Sequence, residues 1–115
     1  MKVIIAGSRG ITDESVVLKA IEESGFNITT VVSGAAQGPD MLGAAWALSK
    51  NIPVLFFPAE WNRCGKVAGH VRNKEMAKTA HALIAIWDCK SRGTLDMIDL
   101  AHEHGLDVYV KKVME

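Results

Sequence analysis

Four arginines could bind phosphate or carboxylate groups, and all four fall in segments that follow predicted strands. These arginines are Arg9, Arg63, Arg72 and Arg92. A guanidinium group offers a rigid fork of N–H donors that matches the oxygens of a phosphate or carboxylate. Because the whole chain balances 13 basic against 13 acidic side chains, this placement predicts positive charge concentrated at one edge of the molecule.

Glycine and hydroxyl residues occur in the same segments and could supply further contacts to an anion. Glycine allows close approach of the backbone to a ligand, and N–H groups at a helix N-terminus favour an anion. The residues are Gly7, Ser8, Ser33, Gly34, Gly38, Ser91, Gly93 and Thr94. They match neither the G-x-G-x-x-G dinucleotide fingerprint nor the P-loop. The pattern therefore predicts a phosphate site that differs from both of these standard types.

Two aspartates and one tryptophan each have a functional and a structural interpretation. Asp40 could accept a hydrogen bond from a ribose hydroxyl, or it could be an acidic residue of the kind favoured in the first turn of a helix. Asp88 follows a predicted strand and could be an acid, a base or a metal ligand, or it could form a turn. Trp61 could stack on a nucleobase, or it could pack its loop against the following helix.

Histidine and cysteine residues show no pattern typical of a metal or disulfide site. The histidines are His70, His81, His102 and His104. Histidines two positions apart diverge on a helix, so His102 and His104 lack ligand spacing. Cys64 and Cys89 are too few for a disulfide scaffold, and neither belongs to a CxxC motif. We therefore predict no metal site, no required cofactor and two reduced thiols, and nothing in the sequence brings a serine to a histidine.

Five apolar runs alternate with helical patterns, and these elements must position the polar residues. Continuous apolar runs are typical of buried parallel strands, and they occupy residues 3–6, 29–32, 53–57, 82–87 and 107–110. Capping residues and apolar periodicity predict helices between Asp13 and Gly25, over 39–49, over 71–79, and from a cap at Thr94 to Gly105. A long loop containing Trp61 and Arg63 is predicted between the third strand and the third helix.

Strands separated by helices of this length predict right-handed βαβ units. The expected fold is α/β: a three-layer Rossmann-like fold with a mostly parallel five-stranded sheet and helices on both faces. Ligands of such sheets bind at the carboxyl ends of the strands, near the point where strand order reverses. The arginine-, glycine- and hydroxyl-containing segments all follow strands, so we expect them to meet at this edge.

Length and composition limit the functional classes. With 115 residues and 49% apolar side chains, we expect one domain over residues 1–115 whose core needs no disulfide. A formal net charge of zero argues against duplex DNA as a partner. Apolar runs fall well short of the roughly 20 residues that a membrane helix needs, and the N-terminal run is too short for a signal peptide. We therefore expect a cytoplasmic protein with no membrane association.

Four motifs together resemble the SLOG superfamily, which joins the DNA-processing protein DprA with the LONELY GUY phosphoribohydrolases. The motifs are AGSR at 6–9, SGAAQGPD at 33–40, RNKEM at 72–76 and GT at 93–94. The small single-domain YspA-type branch, a domain of unknown function common in bacteria and phages, is the most similar. The resemblance implies a Rossmann-like sheet, a nucleotide-derived ligand, a homodimer or higher homo-oligomer, and a bacterial or phage-infected host cell.

Resemblance to the phosphoribohydrolases implies two catalytic residues, an arginine on the third helix and a glutamate on the fourth. Arg72, four residues before Met76, matches the arginine. The glutamate belongs to a PGGxGTxxE pattern, from which this chain departs, since PGG is missing and Met97 stands at the glutamate position. Asp96 is adjacent, but one residue along a helix rotates a side chain by about 100°. This departure argues against N-glycosidic hydrolysis by that mechanism.

Our first hypothesis is a binding module for a phosphorylated nucleoside or a nucleotide-derived signal. Arg9, Arg72 and Arg92 would pair with phosphate, and the turns at 34–40 and 93–94 would supply backbone donors. Asn73 and Arg63 are further candidate ligand contacts.

Two alternatives come from other functional classes. A nucleoside monophosphate phosphoribohydrolase would use Arg72 to hold the phosphoribosyl group and Asp96 or Asp88 as the acid. A single-stranded nucleic-acid-binding protein would use the arginine edge of an oligomer to contact the backbone. In any oligomer, Met41, Trp46 and Met97 could supply apolar contacts.

Overall fold

The computed structural model describes residues 1–114, and in this range a parallel sheet of five strands is flanked by helices. The strands are β1 (Lys2–Gly7), β2 (Thr30–Ser33), β3 (Val54–Phe56), β4 (Ala82–Trp87) and β5 (Asp107–Lys112). The helices are α1 (Glu14–Ser24), α2 (Pro39–Ser49), α3 (Trp61–Cys64), α4 (Ala68–Thr79) and α5 (Arg92–Glu103), with a 3₁₀ turn at Gly65–Val67. The ends of β4 agree with the prediction, and the ends of the other strands differ from it by at most two residues.

The strand order is β3-β2-β1-β4-β5, and every pair is parallel. From β1 at the centre the chain proceeds outward to β2 and β3, and then crosses to β4 on the other side of β1. The order therefore reverses between β1 and β4, and their carboxyl ends form the switch point at which Rossmann-like sheets bind ligands. The predicted α/β Rossmann-like fold is confirmed, with a sheet that is parallel throughout.

Two apolar clusters fill the space on the two faces of the sheet. Val3 and Ile5 of β1 face the cluster that includes Val17 of α1. Ile4 faces the cluster that includes Met76 of α4 and residues of α5. Successive side chains of a strand point to opposite faces, so a continuous apolar run can serve both clusters. The helices consequently form the two outer layers that the apolar runs predict.

The ends of α1 follow the prediction, whereas the beginning of α5 does not. Asp13 caps α1 by accepting from Ser15 N at 2.9 Å, and Gly25 ends it in the left-handed conformation at φ 68°. The predicted cap of α5, Thr94, is wrong, because Ser91 Oγ accepts from Thr94 N at 3.2 Å and the helix begins at Arg92. A tight turn after β4 allows this earlier start, since Asp88 Oδ1 accepts from the N–H groups of Lys90 and Ser91.

The predicted loop after β3 is largely helical. It contains α3, the 3₁₀ turn and the first residues of α4, which begins at Ala68 rather than Val71. The polar residues and two glycines of this segment favour the prediction of a loop. In the structure, Gly65 at φ 61° redirects the chain between two helices, and Gly69 lies inside α4 against the ring of Trp61. Arg63 therefore lies on a helix instead of a loop, and Arg72 lies inside α4 rather than at its beginning.

Two of the three apolar residues expected to contact another subunit pack inside the protein. Met97 is 1% exposed, and Trp46 is half-buried against the α1–α2 cluster. Met41 is exposed. Amphipathic helix patterns identify apolar positions, but they do not distinguish a core face from an interface.

Among residues 1–114, no helix is both long and apolar enough to cross a membrane.

Candidate functional site

A cleft of about 330 Å³ opens at the switch point, between the end of β1 and helices α2, α4 and α5. Four cationic side chains line it: Arg9, Lys66, Arg72 and Arg92. Its other ionisable side chains are Asp40, Asp96 and His70. We call this the central cleft. Its excess of cationic side chains over carboxylates fits an anionic ligand.

Arg72 holds together the loops that follow two strands. Its Nη1 donates to the carbonyl oxygens of Gly34 and Phe57, and its Nε donates to Asn73 Oδ1 at 2.9 Å. Burial lowers the pKa of Arg72, while the nearby Asp40 opposes this shift. An arginine remains protonated in proteins, so a fixed positive charge lies in the wall of the central cleft.

Asp40 forms the inner end of the central cleft and is 4% exposed. Its Oδ1 accepts from Gly7 N at 3.3 Å. Burial raises the pKa of Asp40 to about 6, while Arg72 and the backbone N–H groups of Gly7, Ala36 and Gly34 act in the opposite direction. The donors at the end of β1 and after β2, expected to face a ligand, are thus directed at this carboxyl group.

Two glycines are required by contacts within the protein. A Cβ at Gly34 would lie 2.7 Å from Asp40 Oδ2 and against the Arg72 guanidinium. A Cβ at Gly7 would lie 2.6 Å from Pro39 Cγ and against the carbonyl oxygen of Ile86. We call the group formed by Gly7, Ser33, Gly34 and Asp40 the inner wall. Its glycines allow the Asp40 carboxyl, the Arg72 guanidinium and the start of α2 to pack closely together.

A hydrogen-bonded chain leads from Arg72 to the mouth of the central cleft. Asn73 is buried, and its Nδ2 donates to Asp96 Oδ2 at 3.1 Å and to the carbonyl oxygen of Gly93 at 3.3 Å. Asp96 Oδ1 lies 2.8 Å from His70 Nδ1. Helices α4 and α5 are thereby joined by the sequence of contacts Arg72–Asn73–Asp96–His70.

Exposed side chains surround the opening of the central cleft. Trp61 is 52% exposed, and its ring lies against Gly69 in the first turn of α4. Lys66, His70 and Arg92 are also exposed, and Asp96 is half-buried. We call these five residues the outer rim. They provide an aromatic surface, cationic groups and a histidine within reach of a ligand in the cleft.

Several predicted site residues lie in or beside the central cleft without facing a ligand. Ser33 Oγ donates to the carbonyl oxygen of Asp40 at 3.0 Å. Ser8 is buried, and its Oγ accepts from Asp88 N at 3.1 Å. Gly38, at φ 83°, precedes α2 and packs against the 8–11 backbone. These residues shape the edge of the sheet.

Arg63 and Asp88 lie outside the central cleft. Arg63 lines a neighbouring, mostly apolar groove of about 420 Å³ and pairs with Glu60 at 3.4 Å. Asp88 borders a different cavity next to Cys89 and Lys90, and hydrogen bonds from backbone N–H groups lower its pKa. The turn-forming interpretation therefore describes the observed contacts of Asp88.

The remaining predicted residues lie together at the central cleft. They are Gly7, Arg9, Asp40, Trp61, Arg72, Asn73, Arg92, Gly93, Thr94, Asp96 and Met97. Sequence reasoning missed His70 and Lys66. One signal could have found His70. If the helix predicted at the RNKEM motif is extended by one turn towards its N-terminus, it includes His70 and places it beside the cleft.

In the part of the chain described, no group of three or more His, Cys, Asp or Glu residues is arranged to hold a metal ion.

Comparisons with known proteins bear on fold and family. A model of the YspA, cpYpsA-related SLOG family matches residues 1–64, which include Gly7, Arg9 and Asp40 but end before Arg72. The crystal structure of DNA processing protein A (DprA) from Streptococcus pneumoniae superposes with a TM-score of 0.71 at 23% identity, over 95% of this chain. This chain spans 49% of that protein, and the likeness concerns the fold. No curated protein matches significantly.

Proposed function

Because this chain belongs to the YspA, cpYpsA-related SLOG family, we propose that it binds a nucleotide or nucleotide-derived phosphorylated ligand in the central cleft. The observation that carries the proposal is the convergence of Arg9, Lys66, Arg72 and Arg92 at the switch point of a parallel sheet. The protein acts as a sensor or binding module for this ligand.

Phosphate groups bind between the N-terminal turn of α5 and Arg72. Arg92 and Gly93 begin α5, whose N-terminus favours an anion. Arg72 uses Nη1 and Nε for contacts within the protein, so its position is fixed before a ligand arrives. Such preorganisation lowers the entropic cost of binding.

The base of the ligand stacks on Trp61. A half-exposed indole ring at the rim of a cationic cleft offers an apolar face for a nucleobase. The sugar then lies between the N-terminus of α5 and Trp61.

Thermal melting with a ligand panel tests this proposal. The panel contains adenosine and guanosine mono- and diphosphates, cyclic AMP and ADP-ribose. A ligand at a hundred times its dissociation constant adds about 2.7 kcal/mol to stability, which raises Tm by several degrees in a domain of this size. We expect a shift with wild-type protein that is lost in Arg72→Ala and Arg92→Ala.

Arg63→Ala is the matched control, because Arg63 is exposed outside the central cleft. This variant should keep the full ligand-induced shift. Unchanged melting of wild-type protein with every compound would contradict the proposal, as would equal losses in Arg63→Ala and Arg92→Ala.

The phosphoribohydrolase alternative remains a hypothesis, supported by Arg72 and by Asp96 at the cleft. Asp96 is bonded to His70 and Asn73. Met97, which stands at the position of the family's glutamate, is buried and argues against this alternative. Release of free base from nucleoside monophosphates would support this alternative.

Single-stranded nucleic-acid binding is a second alternative, favoured by the fold shared with a DNA-processing protein. An oligonucleotide shift that weakens with salt would support it.

The proposal includes a cytoplasmic location, which we expect from the short apolar runs of the sequence, and a homo-oligomer, which the family resemblance implies. Exposed apolar side chains on β3 and the helices beside it would provide the contact. They are Met41, Leu48, Leu55, Phe56 and Val71. Light scattering of wild-type protein and Phe56→Ser tests self-association, since the substitution should lower the mass of an oligomer that uses this surface.

A further inference from the structure

A histidine and an aspartate from two different helices meet at the outer rim. His70 Nδ1 lies 2.8 Å from Asp96 Oδ1, and Asp96 Oδ2 accepts from Asn73 Nδ2 at 3.1 Å. Both carboxylate oxygens are therefore held in place. When Nδ1 donates its proton to Asp96, a neutral imidazole presents Nε2 as an acceptor. The His70 side chain is 54% exposed, so water can reach it.

This arrangement is the one required of a general base. The carboxylate orients the imidazole and stabilises the imidazolium that forms when the ring takes a proton. His70 and Asp96 line the same cleft as the four cationic side chains. A base at this place lies beside the phosphate groups of a bound nucleotide.

Charge in the central cleft favours attack at phosphorus over attack at the sugar. Cleavage of a glycosidic bond passes through a cationic, oxocarbenium-like transition state, which the cationic side chains would destabilise. Both carboxyl groups of the cleft already have hydrogen-bond partners within the protein. Asp96 is bonded to His70 and Asn73, and Asp40 accepts from the Gly7 N–H. In phosphoryl transfer, by contrast, negative charge on the phosphoryl oxygens is stabilised by arginine and lysine.

We infer that His70, positioned by Asp96, is the general base of a hydrolytic centre that cleaves a phosphorus–oxygen bond of the bound nucleotide. This inference rests on the proposed function, because the ligand of the central cleft is the substrate. A water oxygen bonds to phosphorus while its proton passes to His70 Nε2. The bond from phosphorus to the leaving oxygen breaks, and that oxygen departs with the electron pair. It takes the proton from the His70 imidazolium, which returns the ring to its neutral form.

The experiment uses ADP, ADP-ribose and cyclic AMP as probes, because phosphorus–oxygen hydrolysis converts each of them to AMP. Glycosidic cleavage would instead release adenine and a ribose phosphate that carries no base, both of which chromatography separates from AMP. Wild-type protein should form AMP from at least one probe. His70→Gln should slow this reaction by a factor of about 100 or more, the usual contribution of a general base, while the probe still raises Tm as in wild type.

His102→Gln is the matched control, because His102 is an exposed histidine in the last turn of α5. This variant should retain the wild-type rate. Asp96→Asn tests the positioning role through the pH–rate profile. Loss of the carboxylate weakens the base, so the acid limb of the profile should move to lower pH, which a merely structural effect would not produce.

The outcomes separate this inference from the proposed function. A shift in Tm with at least one probe, while none of the three forms AMP, would overturn the hydrolytic centre and leave the binding site intact. Adenine as the product, or an unchanged rate in His70→Gln, would also overturn the inference. Unchanged melting with every compound of the panel, together with no AMP from the three probes, would overturn both.

Discussion

The inner wall and the outer rim use polar groups in opposite ways, although residues of both line the central cleft. At the inner wall, Asp40 and Ser33 are buried and hydrogen-bonded within the protein. At the outer rim, Trp61, Lys66 and Arg92 are exposed. The residues of the predicted site therefore divide into two groups. The inner wall determines the shape and charge of the cleft, and the outer rim is within reach of a ligand. Substitutions in the first should change stability, and substitutions in the second should change binding.

The largest expected effect is the loss of stability in Gly7→Ala. The added Cβ would lie 2.6 Å from Pro39 Cγ and against the backbone oxygen of Ile86, and backbone cannot move aside cheaply. We expect a loss of roughly 3 kcal/mol or more in the free energy of unfolding, measured by urea denaturation. In Gly93→Ala nothing lies within 4 Å of the new Cβ, so stability should stay within about 1 kcal/mol of wild type or rise. Gly93 adjoins Arg92 of the outer rim, so equal losses in both variants would break the distinction between inner wall and outer rim.

Titration of Asp40 should lower the free energy of unfolding as pH rises from about 4 to about 6. Its pKa is 3.8 when unperturbed and about 6 in the folded protein, so the folded state binds the proton more tightly. The resulting stability is fully present below pH 3.8 and is lost as pH rises through 6. A difference of roughly two pKa units corresponds to about 3 kcal/mol.

Asp40→Asn removes this titration, so its stability relative to wild type should change across that pH range. Urea denaturation at several pH values measures the difference. Asp13, Glu23 and Asp88 have lowered pKa values. Their contributions are lost as pH falls and are common to both proteins. Parallel stability curves for variant and wild type would show that Asp40 does not titrate in this range.

Asn73→Ala and Arg92→Ala should separate stability from binding. Asn73 is buried and bonded to Arg72, Asp96 and Gly93, so its loss should cost about 1–3 kcal/mol of stability. Arg92 is exposed, and its substitution should change stability by no more than about 0.5 kcal/mol. It should nevertheless weaken binding of ADP by roughly tenfold or more, as expected for a charge-assisted hydrogen bond. Calorimetric titration measures binding of ADP, and urea denaturation measures stability. A large stability loss in Arg92→Ala would contradict the expectation that the outer rim affects binding and not stability.

The smallest expected effect concerns Trp61. Trp61→Ala should weaken binding of AMP by about 1 kcal/mol, the usual size of an aromatic stacking contact. Binding of ribose 5-phosphate, which has no base, should not change. Fluorescence or calorimetric titration with the two ligands makes the comparison, and equal weakening of both would place Trp61 against the sugar or phosphate.

Much of the fold could be predicted from the sequence because its signals are local. Continuous apolar runs identify β1 and β4, and Asp13, Gly25 and Pro39 mark helix ends through their own backbone chemistry. The segment from Pro58 to His70 could not be predicted, since its helices depend on Gly65 redirecting the chain and on Trp61 packing against Gly69. The cap of α5 was misplaced because Ser91 and Thr94 are equally good candidates until the Asp88 turn is known.

The candidate site was predictable in composition but not in the contacts among its members. Chain order determines that the residues after β1, β2, β3 and β4 of a parallel sheet share an edge, which is why Arg9, Asp40, Arg72 and Arg92 could be grouped from the sequence. Their division into wall and rim could not be foreseen. The sequence also gives no sign that Arg63 pairs with Glu60 outside the cleft.

By itself, the sequence determined the alternation of strands and helices, the edge at which charge collects and the absence of a P-loop motif, because all three depend on residue type and order. Only the tertiary structure decided which polar groups face each other. The Asp40 carboxyl accepts a hydrogen bond from the Gly7 N–H, and His70 of α4 meets Asp96 of α5. Such contacts join residues 26 or more positions apart. Their geometry depends on how helices pack on the sheet, which no local pattern specifies.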